Sequence, residues 1–162
     1  MSTLLALHAR IIALLNHRLV DAATLLFVRV AFAGIFWRSG ETKVVEGTWF
    51  QVKPEAYDLF STDFSGVPLQ PHIAANLANA AEHIFPILLV LGLATRFSAA
   101  ALLVMTLVIQ FFVFPDAWWP VHSLWVALAL ALIVRGAGLF SLDAALSSRL
   151  PAVGKEGQTV PV

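Results

Sequence analysis

The chain contains no cysteine. That excludes thiolate catalysis, disulfide exchange and cysteine-based metal sites supplied by this chain itself, and the sequence gives no report on redox compartment. Charge is also scarce. Ten basic residues balance ten acids, and charged residues are 12% of the 162, where a soluble domain carries about 25%. With no basic excess to neutralise phosphates, nucleic acid is not expected as a partner. A cleaved leader is not expected either, because Arg10 and Arg18 interrupt the first apolar stretch and no small-residue cleavage pattern follows. Flavin, haem and iron–sulfur motifs are absent, as are internal repeats.

What remains is apolar: 59% of the residues are hydrophobic. Four blocks, 22–37, 73–94, 99–114 and 121–134, read as membrane-spanning helices once extended through polar or aromatic flanks. Buried helices of a soluble protein would need more polar surface than this chain offers. Before the first block, Leu4, Leu7, Ile11, Leu14 and Leu15 recur at helical spacing, with Arg10, His17 and Arg18 off that stripe. Residues 3–18 are therefore expected as an amphipathic helix on the membrane surface. The predicted fold is all-α: a four-transmembrane-helix bundle with an N-terminal interfacial helix and a short helix in the first outer loop. Residues 1–150 make one domain, and 151–162 read as a disordered cytoplasmic tail.

Charge placement predicts orientation. Arg10, Arg18, Arg96, Arg135, Arg149 and Lys155 fall on one side, against Lys43 and Lys53 on the other, so both termini are expected in the cytoplasm. The outer loop from 41 to 71 carries five acids, and all five tryptophans (Trp37, Trp49, Trp118, Trp119, Trp125) lie towards that side. Within the loop, Pro54 suits the first turn of a helix over 53–64, which would lay Tyr57, Leu59, Phe60 and Phe64 against the bundle or the lipid interface.

Counting helical rise from the cytoplasmic ends places Arg38 at roughly 21 Å, Glu82 at about 20 Å, His83 at about 18 Å, and Gln110 and His122 at about 20 Å each. Each helix thus offers a polar side chain at one depth, in the outer half of the membrane. Ionisable groups there are costly unless they pair or face the bundle interior, which makes each a functional candidate. On the second helix His72, Asn76, Asn79 and His83 form one stripe with Glu82 beside it, and Pro86 leaves the Glu82 carbonyl without its helical donor. Structural alternatives stand beside these: Glu82 as an ion-pair clasp with Arg38, His122 as a wetted end residue, Gln110 as an interhelical hydrogen bond. Two histidines on separate helices are a sparse signal for haem. Arg29, on the opposite face from Arg38, is placed to snorkel to the cytoplasm or to meet Asp143, with Ser141 capping a last short helix.

The runs FWRSGETK, EHIFPILLVLGLATRFSA, MTLVIQFFVFPDAWWPVHSLW and RGAGLFSLD, in this order, resemble the DoxX family over roughly residues 25–146. The resemblance implies a four-helix protein of the bacterial cytoplasmic (inner) membrane, similar to the membrane subunit of thiosulfate:quinone oxidoreductase. Within the family, the chain looks most like members encoded beside multinuclear iron enzymes that modify metal-binding peptides, which implies a role in metal stress. The motif positions carried over are Arg38, Ser39, Lys43, Glu82, Pro86, Gln110, Pro115 and His122.

The leading expectation is a redox subunit that binds quinone in the outer half of the bundle. Glu82, His83 and His122 would handle protons and carbonyl hydrogen bonds, while Arg38, Gln110, Trp37, Trp119 and Trp125 would hold the ring. Electrons would come from a periplasmic partner protein, since no metal or other cofactor site is legible; membrane lipid is the other expected contact, and a homo-oligomer is compatible with the pattern. The alternative is a non-catalytic anchor or assembly platform for a periplasmic metal-stress or oxidoreductase partner. A transporter ranks last, because the cytoplasmic halves offer no continuous polar path.

Overall fold

The computed structural model describes residues 2–149, and the tail expected at 151–162 lies outside the described residues. All described regular elements are helical, apart from one isolated antiparallel bridge between Val44 and Val52. In chain order they are α1 (Ser2–Leu15), α2 (Arg18–Glu41), α3 (Pro54–Ser61), α4 (Pro71–Leu91), α5 (Thr95–Phe112), α6 (Ser123–Arg135) and α7 (Leu142–Ser147). Four segments are long and apolar enough to cross a membrane: Arg18–Glu41, Pro71–Leu91, Thr95–Phe112 and Pro115–Arg135. Their outward faces stay apolar and exposed, as at Phe27, Val104, Phe111 and Val134, which suits lipid and not water. The chain is a membrane protein of four spans.

The α2 sequence shows why it faces the bundle as it does. Ala22, Leu25, Arg29, Phe32, Ala33, Phe36 and Gly40 are buried, a three-and-four spacing that makes one stripe. Phe32 and Phe36 meet Leu89, Leu102 and Leu132 in the core, and Ala33, Ala99 and Ala129 let the backbones close in. By contrast α1 leaves Leu4, Leu7 and Ile11 exposed, an apolar face without a partner among the described residues.

The two ends of the bundle differ. At the loop end, residues 42–53 fold back as a hairpin in which Lys53 N–H donates to the Lys43 carbonyl at 3.0 Å and Val45 N–H to that of Gln51 at 2.9 Å. Pro54 then opens α3, as expected from sequence, and α3 buries Ala56 and Phe60 against Ala74 and Ala75 of α4. The fourth span begins with a 3₁₀ turn at Pro115–Ala117 and a π-helical turn at Trp118–His122 before α6.

At the opposite end, Gly92 closes α4 in the left-handed conformation, φ 66°. Ser141 Oγ accepts from Ala144 N–H and caps α7, in line with the sequence. Asp143 corrects an expectation: its carboxylate accepts the Ala94 and Thr95 amides at 2.8 and 3.0 Å, capping α5 in place of meeting Arg29. Arg29 does not snorkel. It is 0% exposed and donates Nη1 to the Leu89 carbonyl at 3.2 Å and Nη2 to that of Phe140. The last carbonyls of α4 carry partial negative charge, and the guanidinium meets them there, sharing that of Leu89 with Gly92 N–H.

Candidate functional site

Polar side chains do gather at the loop end, but in three groups instead of one layer. The first joins α2 to α4. Lys43, 7% exposed, and Glu82, 2% exposed, form an ion pair in which Nζ stands 2.9 Å from each carboxylate oxygen. The hydrogen bond runs to Oε1; Oε2 has the ion-pair contact but receives no hydrogen bond. Ser39 Oγ donates to the same Oε1 at 2.9 Å and accepts from Lys43 Nζ at 2.8 Å. A further Nζ bond to the Ser39 carbonyl, at 3.1 Å, uses up the ammonium's donors.

This corrects the expected partner of Glu82. The ion pairs among the described residues are Lys43–Glu82 and Arg135–Asp21, so Arg38 pairs with no carboxylate. Arg38 is exposed on the other side of α2. The buried face of α2 runs on through Gly40 to Lys43 in the turn beyond the helix.

The second group lies under the hairpin. His83, fully buried, donates Nδ1–H to the Asn79 carbonyl at 2.8 Å, which leaves Nε2 as the open ring nitrogen. Trp37 meets the ring edge-on at 5.1 Å between centroids, and Phe50 of the hairpin covers it at 5.9 Å. Asn79 Nδ2 donates to the Trp49 carbonyl at 3.3 Å. Asn79 Oδ1, Glu82 Oε2 and His83 Nε2, all within about one turn of α4, lack a hydrogen-bond partner. The outer half of the expected stripe serves α3 instead: Tyr57 stacks on His72 with centroids 4.3 Å apart, and its hydroxyl reaches Asn76.

The third group closes the α5–α6 connection. Gln110 Nε2 donates to the Pro115 carbonyl at 2.6 Å and its Oε1 accepts from His122 Nδ1 at 2.7 Å. Trp125 packs on His122 at 5.0 Å and on Phe36 at 5.5 Å. No hydrogen bond or ion pair among the described residues links His122 and Gln110 to Glu82 or His83. Trp119, 84% exposed, points away from all three groups.

The first group opens on a large apolar cavity. It has a volume of about 430 Å³, lies between α4 and α5, and is roofed by Phe60 and Phe64. Ser39, Lys43 and Glu82 are its polar side; Ala81, Phe85, Ala101 and Met105 are among its walls. Exposed Leu77, Ile84 and Val104 lead from it to the lipid face. Ring-sized volume, apolar walls and a few convergent polar groups are the usual make-up of a small-molecule site. Among the described residues, no group of three or more His, Asp or Glu side chains is placed to hold a metal ion.

Sequence comparison adds three findings. A family model described as DoxX matches residues 24–115, and one described as TQO small subunit DoxD matches residues 73–159. An uncharacterized protein of Haemophilus influenzae is 33% identical over 138 residues, covering 81% of this chain and 88% of its own length. No solved structure matches.

Proposed function

Because the chain belongs to the DoxX family and is related to the membrane subunit of thiosulfate:quinone oxidoreductase, we propose that it binds quinone in the α4–α5 cavity as part of a membrane redox system. The observation that carries this reading is the buried Ser39–Lys43–Glu82 cluster on the wall of an otherwise apolar, lipid-facing cavity. A structural clasp alone would be as well served with the cavity filled by side chains.

The residues present fit the group. A quinone needs flat apolar walls, which Phe85, Ala101 and Met105 supply, and a polar side for its carbonyls. Glu82 Oε2, buried and without a hydrogen bond, is the acceptor left over for a proton or a hydroxyl. When bound, the ring would accept two electrons and two protons. Lys43 is the counter-charge of Glu82, and Ser39 fixes the orientation of Oε1, which leaves Oε2 as the carboxylate oxygen that would meet the polar edge of the ring. His83 lies beside Glu82 on α4 but outside the cavity lining, so its role is to brace α4 against α2; His122 and Gln110 brace the α5–α6 junction.

The reading retains an inner-membrane location with both termini cytoplasmic, which the arginine distribution supports, and a periplasmic protein as electron donor. A role in metal stress, implied by the sequence resemblance, belongs to the same proposal and would concern that partner.

The test is quinone retention. Protein purified in detergent is expected to carry extractable quinone, and Ala101→Phe, which fills the cavity, to lose it while unfolding at the same temperature. Wild-type protein with no co-purifying quinone and no tryptophan quenching on quinone addition would overturn the reading.

A further inference from the structure

A second groove lies on the other side of α2, against α4, with a volume of about 380 Å³. Ala33, Gly34 and Trp37 form one wall, Pro86, Ile87 and Val90 the other, and Arg38 is the one charged residue that lines it. The groove exists because two residues withhold bulk. A Cβ built on Gly34 meets nothing within 4 Å, so no side chain among the described residues fills the space above it. Proline at 86 contributes a compact ring where a longer side chain would reach across.

Depth and charge identify the occupant. Arg38 lies three residues before the end of α2 at Glu41, about 4.5 Å below it, so a span that ends at the membrane surface carries it near headgroup level. Val30, at the inner end of the groove, is eight residues deeper, about 12 Å, close to the depth of one leaflet's half of a ~30 Å core. A cation at headgroup level above an apolar channel one leaflet deep is the complement of a lipid phosphate with a single acyl chain beneath it. Among the described residues the guanidinium has no ion-pair partner, and its planar fork suits two phosphate oxygens. A second copy of this chain fits less well: a two-fold contact through this groove brings Arg38 of both copies onto the same patch, where like charges repel. A neutral quinone gives Arg38 no anion.

We propose that the α2–α4 groove is a binding site for an anionic phospholipid, with the phosphate on Arg38 and one acyl chain against Gly34 and Pro86. The site is separate from the α4–α5 cavity and does not depend on the quinone reading.

The experiment uses the full chain in nanodiscs or mild detergent, with dioleoyl phosphatidylglycerol and dioleoyl phosphatidylcholine as probes. Native mass spectrometry is expected to show one phosphatidylglycerol retained per chain in preference to phosphatidylcholine, with a matching rise in unfolding temperature. Arg38→Gln should reduce that preference roughly tenfold, the loss expected for one charge-assisted contact. Gly34→Leu should abolish retention of both lipids without lowering the unfolding temperature of lipid-free protein, since the new side chain enters empty space. Equal retention of the two lipids by wild type would overturn the proposal. So would wild-type retention by Gly34→Leu, stabilisation by inorganic phosphate as strong as by the lipid, or a dimer that dissociates on Gly34→Leu, which would make a second copy the occupant.

Discussion

The imidazole of His83 occupies the space that Gly40 leaves by having no side chain: a Cβ on Gly40 would stand 2.7 Å from His83 Cε1 and 3.1 Å from Glu82 Cβ. The closest approach of α2 to α4 is therefore set by one glycine, directly beside the carboxylate that the ion pair uses. Gly40→Ala must push α4 away or tilt the ring, and overpacking of this kind costs about 1–3 kcal/mol. Thermal unfolding in detergent should register that loss. In contrast Gly34→Ala, six residues earlier on the same helix and facing open space, should be neutral or stabilising. Equal effects of the two substitutions would remove the close-contact account.

The ion pair makes a second prediction, in which stability and ligand binding part company. Lys43→Met alone leaves a buried carboxylate without its counter-charge and should destabilise by about 3–5 kcal/mol. The double variant Lys43→Met with Glu82→Leu replaces both charges by apolar groups of similar size and should recover most of that loss. If the pair is a quinone-binding element, the double variant folds and fails to retain quinone. If it is a clasp, the double variant retains quinone as wild type does. Measuring both properties on the same three proteins separates the outcomes.

How legible the fold was depended on what carried each signal. The four spans, the α3 helix starting at Pro54 and the Ser141 cap were readable because hydropathy, a proline at a first turn and a hydroxyl before a helix act locally. The identity of Glu82's partner was not, although the sequence contained the clue. At about 100° per residue Arg38 points about 180° away from Arg29, while Lys43, fourteen residues beyond Arg29, returns to within about 40° of it. Once Arg29 is taken as facing the bundle, Lys43 faces it too, and Arg38 does not. Judging Arg29 by its closeness to the cytoplasmic side, and so as snorkelling, hid this. The Gln110–His122 bond was out of reach for another reason. It depends on a 3₁₀ turn followed by a π-helical turn between the two residues, and helical rise counted along regular helices gives their depth but not their direction.

Arg29 and Gly92 give the third prediction. The guanidinium bridges α2 to the carbonyls of Leu89 and Val90, at 3.2 and 3.4 Å, and to Phe140 in the turn before α7. Arg29→Met withdraws the donor to the part-buried Val90 and Phe140 carbonyls and one of the two that reach Leu89, up to about 1–3 kcal/mol for a carbonyl left unmet, while it also relieves the burial of a charge. Carbonyl loss should dominate, because this cation has polar partners and no apolar group of the same shape would supply them. Arg29→Lys should recover only part of the stability, since a single ammonium cannot cover the spread that a planar fork does. The decisive measurement is a double-mutant cycle with Gly92→Ala. A Cβ at Gly92 would overlap the guanidinium and also demands the left-handed backbone, φ 66°, that costs a non-glycine residue roughly 1–2 kcal/mol. Removing the guanidinium takes away its own overlap but leaves the contact with Ser141 Cβ and the backbone strain. Gly92→Ala should therefore cost clearly less in the Arg29→Met background than in wild type, with a residual penalty from the strain and the Ser141 contact; strict additivity would mean that the guanidinium does not pack on Gly92.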